Sequence, residues 1–500
     1  VASADACALF VQRARSVDPE FDLRPENAAV VAAIVARLEG LPLAIELAAA
    51  RVRTLGVHEL LEHLQQRLPL LTGGRADEVA HHQTMRDAIA WSYELLDPEE
   101  QRLLRHLSVF RGGFALEAVS QVADRSEVET LDTIDALIMQ SLVTRVGDRP
   151  HSRFGLLELI REFAAQELAD RGEEAPAITR HIAVQVALVR ELEPIFEGSE
   201  SSAATEHLGL EIDNLRAALE HATATRDVEA GLALAACPWR FWQSIGQLAE
   251  GRSWVERALE LPGGSVPARA RATAALGGLC YWLGDFDGAR ESYLRARDLY
   301  TATGDRTAEA NAIYSLSLVA TYEGDLNAAD RYADEAMELA RAVGDEAMIA
   351  EVLAAQFLVA WKRGELARAR GLGEAALEIA LRLELSAMIA TQLVGLAGVS
   401  HVEGDDEQAL RRAGEALDLT VETENTHTRI FALDAIASFA ATRWPVPAVQ
   451  LCSAAAALRV EHGGGWTLTV MGVECADEAA RVALDGDELE DARASGSGLD

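Results

Sequence analysis

The sequence predicts a mainly α protein in which a helical segment and a helices-plus-hairpin segment precede a helical solenoid. Three observations carry this. Glycine recurs every 40 residues in the second half, at Gly284, Gly324, Gly364 and Gly404. Alanine is abundant and aromatic residues are only 5% of the chain, which suits helices packed closely through small side chains. Between residues 83 and 172, helical patterns alternate with turn signals and then give way to a short alternating stretch around a Gly-Asp turn.

At 500 residues the chain is too long for one core, so two to four domains are expected. Hydrophobic residues at 49% and charged residues at 25% fit an ordinary globular composition. No window of membrane-spanning length is free of charge, and Val1 to Phe10 lacks a basic segment leading into an apolar one. The expectation is therefore a cytoplasmic chain with no membrane partner and no signal peptide. It opens without Met, directly on helix, and reads as a fragment of a longer polypeptide.

The formal net charge of −35 argues against binding nucleic acid or anionic membrane, because phosphate contacts need clustered Lys and Arg. Five scattered cysteines (Cys7, Cys237, Cys280, Cys452, Cys475) form no CxxC and read as reduced core residues. The twelve histidines include no HExxH, so no metal site is expected. No nucleophile–base set or paired-carboxylate signature stands out either, and the chain is not read as an enzyme. The only lysine is Lys362, in Trp361-Lys362-Arg363-Gly364. A P-loop needs a Gly-rich backbone followed by Lys and Ser/Thr, so that phosphate cradle is absent from this chain.

The repeat carries its own chemistry. Each glycine is followed by an acidic residue: Asp285, Asp325, Glu365, Asp405. Five positions after the glycine stand Ala289, Ala329, Ala369 and Ala409, and seven further on Ala296, Ala336, Ala376 and Ala416. Leu299, Leu339, Ile379 and Leu419 complete the pattern. The glycine can take the left-handed conformation that ends one helix, and the acid suits the start of the next. Alanines seven apart share a helix face and admit a close neighbour. A second turn recurs at Gly304-Asp305 and Gly344-Asp345. With Gly277, Gly284, Phe286, Ala289, Tyr293 and Ala296 in register, the unit resembles the tetratricopeptide (TPR) pattern, with helices extended beyond the usual. An earlier unit is expected around Gly246 with Ala258, and a degenerate later one where Trp444-Pro445 replaces the turn and Ala448 continues the register. Such units bury their apolar faces only by stacking, and the stack displays a concave surface. Trp239, Phe241, Trp242, Tyr281 and Trp282 are candidates for a ligand surface there, or for inter-helix packing.

In the first half, Ala4 to Ser16 is amphipathic and Pro25 opens a helix that runs to Leu38. Gly40 can end it, and Pro42 can open the next, Leu43 to Val52. Helices follow from Thr84 to Leu96, from Asp97 to Val109, from Leu116 to Ala123 and from Val128 to Gln140. Gly112-Gly113-Phe114 reads as a turn. Leu142 to Arg145 alternates like a strand, Gly147 to Pro150 turns, and Ser152 to Phe154 returns before helix resumes at Leu157. Helices followed by a short hairpin make a winged helix. The helix that would enter a DNA groove carries Glu127, Glu129, Asp132 and Asp135 and neither Lys nor Arg, so a protein-facing role without direct DNA contact is expected.

Several ordered stretches then resemble the C-terminal portion of a STAND signal-transduction ATPase. The likeness is to the NB-ARC-like type found in large bacterial transcriptional regulators of the LuxR and SARP kinds. They are Leu38-Glu39-Gly40-Leu41-Pro42-Leu43-Ala44, Leu71-Thr72-Gly73-Gly74, Gln83-Thr84-Met85-Arg86, Ala90-Trp91-Ser92-Tyr93, Val109-Phe110-Arg111-Gly112-Gly113-Phe114, Leu157-Glu158-Leu159-Ile160-Arg161 and Asp213-Asn214-Leu215-Arg216. The resemblance spans roughly residues 1 to 260 and the repeats extend it. It implies a helical domain of the ATPase module at 1–75, a winged helix at 76–172, a helical linker at 173–230, a TPR-like solenoid at 231–460, and a C-terminal helix and polar tail at 461–500. The tail from Asp485 to Asp500 reads as a frayed end or linker.

The resemblance also implies a switch. ADP would hold the domains closed, and exchange for ATP with an inducer would open the parent protein to self-oligomerise. Pro42 would pack near the adenine, with Gly40 and Leu41 as its supporting turn; from the residues alone, Pro42 is equally a plain helix start. ATP or ADP would be held mostly by the missing P-loop domain, and this chain alone is expected to hold no cofactor. Many relatives carry Met-His-Asp near the end of the winged helix, its histidine reaching the ADP phosphate. Here Leu156-Leu157-Glu158 stands instead, leaving Arg153 or Arg161 as replacements. The functional expectation is a regulatory and sensor portion that binds an inducer or protein partner on its repeats. The alternative is a stand-alone adaptor that binds a protein partner with no nucleotide link.

Overall fold

The structure is a computed structural model that describes residues 2–38, 40–67, 77–146, 153–197, 201–423, 426–441, 443–462, 484 and 486–496. Leu71-Thr72-Gly73-Gly74, Cys475, the hairpin turn Gly147 to Pro150 and the last four residues lie outside them. The chain forms two compact units, one of residues 1–185 with 210–221 and one of residues 186–209 with 222–500.

The first unit begins with four helices, α1 (Ala2–Val17), α2 (Pro25–Arg37), α3 (Pro42–Ala49) and α4 (Val57–Arg67). Phe10, Ile34, Leu38, Ile45 and Leu60 are fully buried between them, and Trp91 from the next helix joins this core. That next helix is α5 (Asp77–Glu94), followed by α6 (Pro98–Leu107). Asp97 caps α6 with a capping box: its side chain accepts the N–H groups of Glu99 and Glu100, and Glu100 accepts the N–H of Asp97 in return.

Strand β1 (Gly113–Ala115), helices α7 (Leu116–Ala123) and α8 (Glu127–Met139), strands β2 (Thr144–Val146) and β3 (Arg153–Gly155), and helix α9 (Glu158–Asp170) complete a winged helix. The sheet is antiparallel in the order β1-β3-β2, with Phe114 opposite Phe154. This corrects the reading of Gly112-Gly113-Phe114 as a turn. Gly112 makes the turn with φ +71°, and the next three residues form the third strand. A three-residue strand with one buried side chain has no alternation to detect, and its partner lies 40 residues downstream. Helix α10 (Glu174–Leu192) follows, then α11 (Ser201–Leu210) and α12 (Ile212–Thr225). The unit boundary falls inside α10, at the end of α11 and within α12.

The second unit continues with α13 (Val228–Ala236), α14 (Trp239–Ser244) and α15 (Leu248–Glu260). Helix pairs then stack as α16 (Val266–Trp282) with α17 (Phe286–Thr303), α18 (Arg306–Glu323) with α19 (Leu326–Val343), α20 (Glu346–Lys362) with α21 (Leu366–Arg382), α22 (Ser386–Val402) with α23 (Asp406–Glu422), and α24 (Thr426–Ala440) with α25 (Pro445–His462). The helices of the first four pairs are 17 or 18 residues long, which accounts for the 40-residue period.

The turn chemistry is as the period implies. Gly284, Gly324, Gly364 and Gly404 have φ between +72° and +85°, and Gly304 and Gly344 have +74° and +78°. The acid after each glycine does more than offer charge: Asp285, Asp305, Asp325, Asp345 and Asp405 each accept the N–H three residues on as helix N-caps. Glu365, one methylene longer, makes no such bond. All eight register alanines, from Ala289 to Ala416, are fully buried, so adjoining helices rest on a methyl group. Ala258 and Ala448 are buried in the flanking helices in the same way.

The tail differs from expectation. Helix α26 (Gly486–Gly496) packs on α25, with Leu489 and Ala492 buried beside Val449. Two apolar residues three apart in a polar stretch give one helical turn a seat, which composition alone did not reveal.

Candidate functional site

The residues singled out at the helical corner sit as the sequence implies. Gly40, at φ +70°, sends its N–H to the Val35 carbonyl at 3.1 Å and closes α2, and Pro42 is the first residue of α3. Pro42 is exposed and Leu41 is half-buried. At the far end of α3, buried Arg51 donates to the Ser92 carbonyl at 2.6 Å and ties the corner to α5. Burial pulls its guanidinium down to about 10. A cavity of about 300 Å³ opens beside α4 and α5, lined by His63, Asp87, Trp91 and Glu94 among others, and none of Gly40, Leu41 and Pro42 lines it.

The helix that reads DNA in other winged helices is α8. Glu127, Glu129, Asp132 and Asp135 are all exposed on it, together with Val128. Its C-terminal end is held inside the unit, where the Arg13 guanidinium donates to the Ile138 and Met139 carbonyls at 3.1 Å each. A helix with four exposed carboxylates and no cation repels a phosphate backbone.

Each arginine proposed to replace the missing histidine already has partners in the fold, and each keeps further guanidinium N–H groups beyond those bonds. Arg161 donates to Glu158 at 2.8 Å, and that bond holds the Glu158 carboxyl below its ordinary range. Arg153 pairs with Glu211 and donates to the Gly113 carbonyl at 2.8 Å and the Leu210 carbonyl at 2.9 Å. Both are committed to partners within the unit.

In the repeat unit, from α18 onward, each first helix packs on the first helix of the next pair: α18 on α20, α20 on α22 and α22 on α24. The first helices therefore form the inner wall. Their less buried stripe, in 40-residue register, carries Asn311, Tyr314, Leu318 and Tyr322 on α18 and Glu351, Ala354, Leu358 and Lys362 on α20. Of the aromatic candidates, Phe241 and Trp242 are fully buried, and Trp242 lies so close to Gly251 that a Cβ there would stand 2.7 Å from its ring. Those two are packing. Trp239, Tyr281 and Trp282 are half-buried. The Arg240 guanidinium lies 4.2 Å from the Trp239 ring centre. Tyr281 touches Trp282, Phe286 and Tyr322 at 5.8, 6.1 and 5.6 Å between ring centres, and the Lys362 amine sits 5.9 Å over Tyr322. Burial pushes the Tyr314 hydroxyl well above its ordinary range, and the nearby Glu351 carboxylate adds to this. On the inner wall, α18 thus presents the Tyr314 and Tyr322 rings, with the Lys362 amine of α20 braced on Tyr322.

Among the described residues no group of three or more His, Cys, Asp or Glu is placed to hold a metal ion, and no helix is long and apolar enough to cross a membrane.

Comparison with known proteins matches these parts. The winged helix-turn-helix domain family matches residues 96–169 and the tetratricopeptide repeat family matches residues 269–342. The chain thus carries a winged helix followed by TPR-type repeats, in the order that the STAND resemblance implies. In particular, it is 37% identical over 287 residues to the "Putative HTH-type transcriptional regulator Rv0890c" of Mycobacterium tuberculosis (strain ATCC 25618 / H37Rv), covering 56% of this chain and 32% of that protein. It is 36% identical over 181 residues to the uncharacterized protein Rv0894 of the same strain, covering 35% of this chain and 46% of the other. The chain thus spans a third to a half of the length of these relatives. Among solved structures, a STAND protein with a tetratricopeptide repeat sensor from Pyrococcus horikoshii aligns over 99% of this chain and 71% of its own, at 15% identity and a TM-score of 0.48.

Proposed function

We propose that this chain is the regulatory and sensor portion of a STAND-type transcriptional regulator. The repeats bind an inducer or a protein partner on their inner wall, and that binding acts on a nucleotide-controlled switch whose phosphate cradle this chain does not contain. The single observation that supports this best is the 287-residue match to an HTH-type regulator, taken with a winged helix whose α8 is acidic. The winged helix then works as a joint between protein parts, and any reading of DNA falls to another part of the regulator. Pro42, on the Gly40-Leu41 turn, packs against the adenine when the nucleotide domain is present, and the parent self-oligomerises when opened.

Calorimetric titration with ADP tests the division of labour. The chain alone should bind ADP weakly or not at all, and joining it to a P-loop domain from its own gene should restore tight binding. Tight binding by the chain alone overturns the proposal. An adaptor without a nucleotide link would instead capture the same partner whatever the nucleotide state of a joined P-loop domain.

A further inference from the structure

One asparagine reads the turn at the root of the wing. The Asn214 carboxamide oxygen accepts the N–H of Arg111 at 2.8 Å, and its nitrogen donates to the Gly113 carbonyl at 2.8 Å and to Glu211 at 2.5 Å. Glu211 in turn pairs with Arg153, whose other nitrogen bonds the Gly113 and Leu210 carbonyls. Glu211 is 4% exposed and Asn214 is 0% exposed. Between the two backbone groups that Asn214 reads, Gly112 holds φ +71°, and a Cβ there would stand 3.2 Å from the Asp213 carboxylate. A primary carboxamide offers the acceptor for Arg111 and the donor for Gly113 on two separate atoms, which an ionised carboxylate cannot do. A carboxylate at 214 would lose the donor and face Glu211.

Glu211 and Asn214 belong to a segment that leaves chain order. Residues 186–209 pack in the second unit, residues 210–221 pack in the first, and from Ala222 helix α12 belongs to the second again. The segment is a strap held by the winged helix and continuous in sequence with the repeat unit.

We propose that Arg153, Glu211 and Asn214 form a clasp that holds this strap, and that the strap releases as one piece while the remainder of the winged helix and the repeats stay folded. The hold is concentrated and cooperative. Removing one partner strands buried donors and a buried charge, so the remaining bonds lose their purpose together. This rests on the regulatory reading, because a sensor that acts on a winged helix needs a movable element along the chain between them.

Hydrogen exchange on the intact 500-residue chain tests it. Asn214→Asp should speed exchange at Arg111 and along the strap by about tenfold or more, and leave α6 and the repeat helices at wild-type rates. Arg153→Glu and Glu211→Arg should each do the same, and the double reversal should restore only the share carried by the ion pair, because a carboxylate at 153 cannot donate to the Gly113 and Leu210 carbonyls and a guanidinium at 211 cannot accept from Asn214. Oxidised Gly112→Cys/Asp213→Cys, for which the Cβ atoms would stand 3.5 Å apart, should slow strap exchange below wild type. Even acceleration across the first unit, or an unchanged strap, overturns the clasp. The readout needs no nucleotide or inducer, so its failure leaves the regulatory reading standing, and tight ADP binding by the chain alone leaves the clasp standing.

Discussion

Glu384 stands where Gly344 stands one repeat earlier, and both take the left-handed backbone, at φ +56° and +78°. The next residue changes as well. Asp345 caps its helix through the Met348 N–H, whereas Leu385 has no side-chain acceptor to offer. The third repeat thus keeps the turn and has lost the chemistry that favours it.

Glu384→Gly should therefore stabilise the chain by about 0.5–1 kcal/mol, the left-handed strain of an L residue less the added freedom of glycine when unfolded. Leu385→Asp should add about 1 kcal/mol by supplying the cap. Urea unfolding of the full chain followed by circular dichroism reads both. A loss of stability in either variant would mean that a contact of Glu384 or Leu385 outweighs the turn.

The same logic explains what the sequence could and could not disclose. The period was legible because the left-handed turn demands glycine and the cap demands aspartate, each within a few residues of the other. The buried faces of Ala289, Ala296 and their repeats were legible for the same local reason. The inner wall was not, because which helix faces inward depends on how one pair stacks on the next. Strand β1 and the Asn214 clasp were hidden differently. Their partners lie 40 residues away in the first case and 101 in the second, and one polar residue in a helix carries no mark of its destination. Trp242 read by type as either a ligand residue or inter-helix packing, and its burial and its contact with Gly251 show that it is core.

Gly251→Ala tests that contact. The new Cβ would fall 2.7 Å from the ring of Trp242, which is fully buried. Overpacking of this kind costs about 1–3 kcal/mol, more than the helix propensity gained from alanine. Thermal melting should show a lower midpoint, and an unchanged or raised one would show that the ring has space behind it.

DNA binding offers a test at α8. With Glu127, Glu129, Asp132 and Asp135 exposed, the chain should not retard a random-sequence duplex in a gel-shift assay at physiological salt. Lowering the salt should not rescue binding, since no cations on α8 gain from it. A retarded band whose strength falls with added salt would reverse the assignment of the winged helix to protein contacts.

Acid should weaken the fold around His181. This residue is fully buried, with no partner for either ring nitrogen among the described residues, Phe110 edge-on at 5.1 Å and His221 at 6.5 Å between ring centres. Burial first, and then the neighbouring His221, push its imidazole down to about 3. The unfolded chain titrates this group near the ordinary value of about 6.5. Above that value both states are neutral and nothing is lost. As pH falls between about 6.5 and 3, the unfolded chain takes up a proton that the folded one refuses, so stability declines through that window. At pH 5 the loss from this one group is about 2 kcal/mol. His106, pushed down to about 4 mainly by burial, tilts the same way. His181→Leu removes the group while keeping the site apolar. Urea midpoints measured at pH 7.5 and pH 5 should converge more in this variant than in the wild type. Equal separation in both would show that His181 finds a proton acceptor when the chain is folded.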